Sequence, residues 1–182
     1  MLREQIVLDY ESRTVIADQA AATMLSADSV LCFAGGEEAI YCAFKALLST
    51  DDHCVVVTPC YQSLKSVPES LCSVTCIDLL ADDGWALDVK RIERAMISGR
   101  TKLIVVNFPH NPTGCTISTE QQDALIAVAR AYGAWIFCDE IYRGVERDPA
   151  DALDPIALRY ERGISLGGMS KVYGMAGLRV GE

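Results

Sequence analysis

What most narrows the fold of this chain is a rhythm: short runs that are mostly apolar on both faces alternate with segments of helical spacing along its whole length. Strands are expected at SVLCFA (29–34), HCVVVTP (53–59), SVTCIDL (73–79), TKLIVVNF (101–108), AWIFCDE (134–140), GISLGG (163–168) and GLRVG (177–181). Runs of this kind suit strands in a sheet covered by helices on each side, because neither face offers polar groups to water. Between them, EEAIYCAFKALL (37–48) has helical spacing, and DVKRIERAMI (88–97) begins with Asp88 placed to cap it. STEQQDALIAVARAYG (118–133) has a serine three residues before Gln121 and ends on Gly133, a start and a stop signal together. The expected class is therefore α/β, a three-layer α/β/α arrangement around a mostly parallel seven-stranded sheet.

A chain of 182 residues suits one domain with a sizeable core, and no internal repeat or linker divides it. The formal net charge is −9 and the basic residues are scattered, which argues against nucleic acid as a partner. No apolar run reaches the roughly 18 residues that cross a membrane. The start, MLREQIVLDY, reads as an amphipathic helix without the apolar core of a signal peptide, so a cytoplasmic protein is expected. Of eight cysteines, Cys32, Cys54, Cys76 and Cys138 lie inside apolar runs, as small core residues with reduced thiols do. No CxxC pair occurs and the histidines are His53 and His110 alone, so no metal site is expected.

Ligands of an open parallel sheet bind beyond the carboxyl ends of its strands. Those ends carry AGGEE, TPCY, NFPHNPTG, DEIYRG and GGMSK. Asp139 closes an apolar strand, where a charge requires a compensating partner; Tyr142 can aim a hydroxyl into the same cleft, or the pair can serve as a helix cap and a packing ring. NFPHNPTG is a rigid turn with Asn107 and Asn111 as its side-chain donors, and its Asn-Pro bond is a candidate for the cis form. AGGEEAI frees backbone N–H groups for an anion at a helix start, although Glu37 and Glu38 suit the first turn of any helix. Neither GxGxxG nor a P-loop occurs. Lys171 follows the sixth run, where Ser170 and Arg179 can supply a hydroxyl and a guanidinium to a phosphate. A lysine, a phosphate clamp and a carboxylate for a ring nitrogen are what pyridoxal phosphate requires of a protein.

Taken together, SKVYGMAGLRVG, NFPHNPTG and DEIY resemble the Schiff-base signature, the Asn-Pro-x-x-Asn-Pro-Thr-Gly loop and the cofactor-nitrogen motif of the class I/II aminotransferases, a fold type I family. The likeness runs from LREQI to the last residue. It implies pyridoxal 5′-phosphate as cofactor, an amino acid and a 2-oxo acid as substrates, and a homodimer. By the same resemblance Lys171 is the Schiff-base lysine and proton carrier, and Asp139 holds the pyridine nitrogen protonated. Asn111 and Tyr142 bond the phenolic oxygen, Tyr61 stacks on the ring, and Ser170, Arg179 and the amides of Gly36 and Glu37 hold the phosphate. Gly168 and Glu37 depart from the family, which often has serine at the first position and threonine or serine at the second. The family's complete chain is roughly twice this length, so residues 1–182 are expected to be its large domain. An N-terminal segment is then missing, as is the small domain carrying the arginine for the substrate carboxylate. A lyase or decarboxylase of the same fold, or a non-catalytic remnant, are the alternatives.

Overall fold

In a computed structural model describing residues 1–12 and 25–182, five of the seven expected runs form one wholly parallel sheet. They are β1 (His53–Thr58), β2 (Ser73–Asp78), β3 (Thr101–Asn107), β4 (Trp135–Asp139) and β5 (Gly163–Leu166), in the order β2-β1-β3-β4-β5. The other two runs correct the seven-stranded expectation: they meet only at isolated antiparallel bridges, Phe33 with Gly181 and Gly181 with Gly168. A turn of 3-10 helix over Ala27–Ser29, capped by Ser26, takes up the start of the first run, and Leu31 and Cys32 then face solvent. The crossing at Gly181 depends on its missing side chain, since a Cβ there would lie 2.6 Å from the Gly36 nitrogen.

Helices α1 (Leu2–Ser12), α2 (Gly36–Leu47), α3 (Gln62–Glu69), α4 (Val89–Ala95), α5 (Thr119–Tyr132) and α6 (Ile156–Arg159) surround the sheet. Strand alternation divides the core in two. On one side Cys54, Val56, Val105 and Phe137 pack with Ile40 and Phe44 of α2 and Leu64 of α3. On the other, Val55, Val57, Ile104 and Ile136 pack with Ile92 of α4, Leu125 and Ala129 of α5 and Ile156 of α6. Every residue of β1 is buried: the apolar run 54–57 by packing, and His53 with its ring nitrogens 2.8 Å from the Thr101 and Thr75 hydroxyls. The expected signals of α5 are both used: Ser118 Oγ accepts from the Gln121 N–H at 3.2 Å, Gln121 Oε1 accepts from the Ser118 N–H at 2.9 Å, and Gly133 turns left-handed at φ 67°.

All eight cysteines are free thiols; Cys54 and Cys138 are buried and Cys76 half-buried, whereas Cys32 is exposed, against the sequence expectation. Among the described residues, no helix is long and apolar enough to cross a membrane, and no cluster of His, Cys, Asp and Glu could hold a metal ion. The chain enters the sheet at β1, moves outward to β2, then returns to β3 on the other flank of β1. That reversal is where a crevice opens at the carboxyl ends of such strands.

Candidate active site

A cavity of about 240 Å³ lies at this edge, and Gly36, Glu37, Tyr61, Asn111, Asp139, Tyr142, Ser170, Lys171 and Arg179 all line it. Six separate stretches of sequence thus deliver to one place every residue to which the family resemblance gives a role. Gly36 and Glu37 open α2, whose first N–H groups have no acceptor within the helix. The Glu37 carboxylate accepts a hydrogen bond from Ser63 Oγ of α3 at 3.1 Å, so it is engaged by α3 while its N–H stays at the helix start. Tyr61, half exposed, follows β1 just before α3.

Asn111 sits in the loop after β3. Its N–H donates to Asn107 Oδ1 at 2.8 Å, and Asn107 Nδ2 donates in turn to the Asp139 carbonyl at 2.7 Å. Buried Asn107 therefore fastens this loop to the end of β4, a supporting role that its place in the motif did not disclose. The Asn111–Pro112 bond is cis.

Asp139 is buried, and its Oδ1 accepts from the Ile141 N–H at 3.1 Å. Burial pushes its carboxyl up to about 6, against the smaller pull of that N–H and of the Lys171 charge. The Lys171 ammonium lies 5.8 Å from the centre of the Tyr142 ring. Among the described residues neither Asp139 nor Lys171 has an ion-pair partner within 4 Å. Arg179, at φ 52°, uses Nη1 only on the Ala176 carbonyl, 3.2 Å away. Beside it Gly35, at φ +99°, has no room for a side chain: a Cβ would come 2.9 Å from the guanidinium carbon. In the sequence Gly35 is one of the glycines of AGGEEAI before a helix start, and its contact with an arginine far along the chain had no local signal.

The family profile described as "Aminotransferase class I and II" matches residues 5–182. The chain belongs to this family. Among its aminotransferase relatives, glutamate-pyruvate aminotransferase AlaA of Escherichia coli K12 is 36% identical over 151 residues, 81% of this chain and 36% of that protein. Capreomycidine synthase of Streptomyces vinaceus is 35% identical over 148 residues, 81% of this chain and 38% of the relative. A solved aspartate aminotransferase of Thermus thermophilus, a tetra mutant, superposes with a TM-score of 0.88 at 26% identity, over 99% of this chain and 47% of that one. The chain thus spans less than half the length of each aminotransferase-family protein it matches here.

The acid after Asp139 faces the other way. Glu140 is as buried as its neighbour but lines a different cavity, together with Cys138, Val106 and Leu125 from the α5 side of the sheet. The two-residue alternation of a strand sends adjacent acids to opposite faces, and that was the available signal.

Proposed function

We propose that this chain is the cofactor-binding part of a pyridoxal-phosphate-dependent aminotransferase, which moves an amino group between an amino acid and a 2-oxo acid. The observation that supports it is the polarity of the cavity. Lys171 and Arg179, which have no ion-pair partner among the described residues, and a helix start share its wall with Asp139, a buried carboxylate that likewise has none within 4 Å. Such a wall fits a ligand with a phosphate, a basic ring nitrogen and a carbonyl carbon between them. Bound there, pyridoxal phosphate supplies a ring that withdraws electrons from the substrate α-carbon.

The residues of the chain do the rest. Arg179, Ser170 and the first N–H groups of α2 bind the phosphate by charge-assisted hydrogen bonds. Asp139 keeps a proton on the ring nitrogen, and the arriving positive charge favours its ionised form. Asn111 and Tyr142 orient the ring by hydrogen bonds to its phenolic oxygen, while Tyr61 covers one face and excludes water. Lys171 would hold the cofactor through its amine, and the same amine, once free, would serve as the acid–base group for the substrate α-carbon proton. A cytoplasmic homodimer, with the arginine for the substrate carboxylate outside residues 1–182, completes this reading by family likeness.

The likeness to a protein named a synthase, at 35% identity, favours a second reading in which the same site breaks another bond. Incubating the full gene product with amino acids decides between them. Pyridoxamine phosphate formed in step with a 2-oxo acid is expected; ammonia or carbon dioxide released without it would favour the lyase or decarboxylase.

Gly35→Ala tests the phosphate end alone. The added methyl meets Arg179, and the φ of +99° is one that alanine adopts poorly. Affinity for pyridoxal phosphate is expected to fall about tenfold, the loss of roughly one charge-assisted hydrogen bond, while affinity for pyridoxal without its phosphate stays the same. Equal losses for both ligands in a titration would remove Arg179 from the phosphate site.

A further inference from the structure

A second cavity, of about 20 Å³, is closed in by β3, β4, α5 and the segment leading into α6. Its volume is that of one water molecule. Two of the buried side chains that line it have incomplete hydrogen bonding. Glu140 Oε1 accepts from the Ile156 N–H at 2.8 Å and from Ser165 Oγ at 2.9 Å, whereas Oε2 has no hydrogen-bond partner. Arg143 Nε stands 3.7 Å from Oε2, close enough for attraction and too far for a hydrogen bond. Gln122, on α5, donates from Nε2 to the Asp154 carbonyl at 2.9 Å, which fixes its amide and leaves Oε1 with no partner. Glu140 is 6% exposed and Gln122 4%, so bulk solvent satisfies neither oxygen.

Two buried acceptors on residues that line one cavity call for a donor with two hydrogens, because a buried acceptor left bare is costly. We propose that this cavity binds one water molecule bridging Glu140 to Gln122, and that Glu140 is through it a positioning residue for the turn that carries Asp139 and Tyr142. A metal cation is the poorer occupant, because two oxygens are too few for it and the Arg143 guanidinium already supplies positive charge. The water serves either form of Glu140, donating to the carboxylate or accepting from the carboxyl.

The positioning role follows from where Glu140 is anchored. Its N–H donates to the Leu166 carbonyl at 2.8 Å and its carbonyl accepts from the Arg143 N–H at 2.8 Å. Its side chain ties the same turn to β5 through Ser165, to α6 through Ile156 and, by the water, to α5 through Gln122. Asp139, one residue earlier, enters the active-site cavity from the other face. Loss of an anchor on one face of this turn is therefore felt on the other.

The positioning role rests on the proposed cofactor; the water does not. In a high-resolution crystal structure of the full gene product, one density peak is expected within hydrogen-bond distance of both Glu140 Oε2 and Gln122 Oε1. Glu140→Leu and Gln122→Leu are expected to lower the melting temperature without adding in the double variant, since both delete the same bridge. Well below melting, Glu140→Leu is expected to weaken pyridoxal phosphate binding about tenfold and Gln122→Leu about threefold, with Glu140→Gln close to wild type. If Glu140→Leu does not fold, Gln122→Leu carries the comparison. An empty cavity or additive losses would overturn the water. Unchanged cofactor affinity in folded variants would overturn the positioning role. A wild-type protein that binds no pyridoxal phosphate would end the proposed function and the positioning role together, while the density and the double variant still decide the water.

Discussion

Replacing Lys171 by alanine is expected to lower transamination by at least about 10⁴-fold, the upper range for loss of a positioned acid–base group, with the covalent attachment lost as well. The fold should be indifferent. Lys171 is exposed, has no ion pair among the described residues, and meets only the Tyr142 ring at 5.8 Å. A surface change of this kind falls within about 0.5 kcal/mol. Lys171→Arg separates charge from chemistry, because a guanidinium keeps the cation but is neither a nucleophile nor a base near neutral pH. Rates of 2-oxo acid formation should therefore collapse for both variants, while their melting temperatures stay at the wild-type value. An arginine variant with substantial turnover would reduce Lys171 to a counter-charge.

Asp139→Asn is expected to separate activity from stability in opposite directions. On the role proposed for it, that of keeping the cofactor's ring nitrogen protonated, loss of the carboxylate should cost about 10²–10³ in rate, the usual effect of losing one preorganised electrostatic contact. In the apoprotein the same change should stabilise. The carboxyl has its ordinary value, 3.8, when unfolded and about 6 when folded, raised chiefly by burial. The folded state thus binds the proton more tightly, and Asp139 lowers stability progressively as pH rises from about 4 through about 6. At roughly 1.4 kcal/mol per unit, the full effect is about 3 kcal/mol. Thermal melting of both apoproteins against pH checks this: the advantage of asparagine should be absent below pH 4, grow across the window and level off above it. Saturating pyridoxal phosphate should erase that advantage, since the ring nitrogen gives the wild-type carboxylate its missing partner. A variant advantage that shrinks as pH rises would contradict the electrostatics assigned to this site.

The strands with the longest unbroken apolar runs were the most legible part of the fold. CVVV (54–57) and LIVV (103–106) are apolar on both faces and buried, and both lie in inner strands of the sheet. SVLCFA and GLRVG carry similar residues but are defined by one crossing between Phe33 and Gly181, a contact that no local pattern records. Helix α5 announced itself at both ends because each of its caps bonds partners only three or four residues away. In the site, Lys171, Asp139 and Asn111 were readable because each stands in a motif that resembles a family pattern. Asn107, Gly35 and Glu140 act through partners 32, 144 and 25 residues away, as their contacts with Asp139, Arg179 and Ser165 show. Gln122 looked like one more polar residue of an amphipathic helix until the segment around Asp154 closed over it.

The covalent bond assigned to Lys171 is the most exposed claim, and it can be read residue by residue. The full gene product is incubated with pyridoxal phosphate, reduced with borohydride, digested and mapped by mass. One cofactor per chain on the peptide containing Lys171 is the expected result, abolished in Lys171→Ala. Label distributed over Lys45, Lys65, Lys90 and Lys102, or unchanged in the alanine variant, would contradict it.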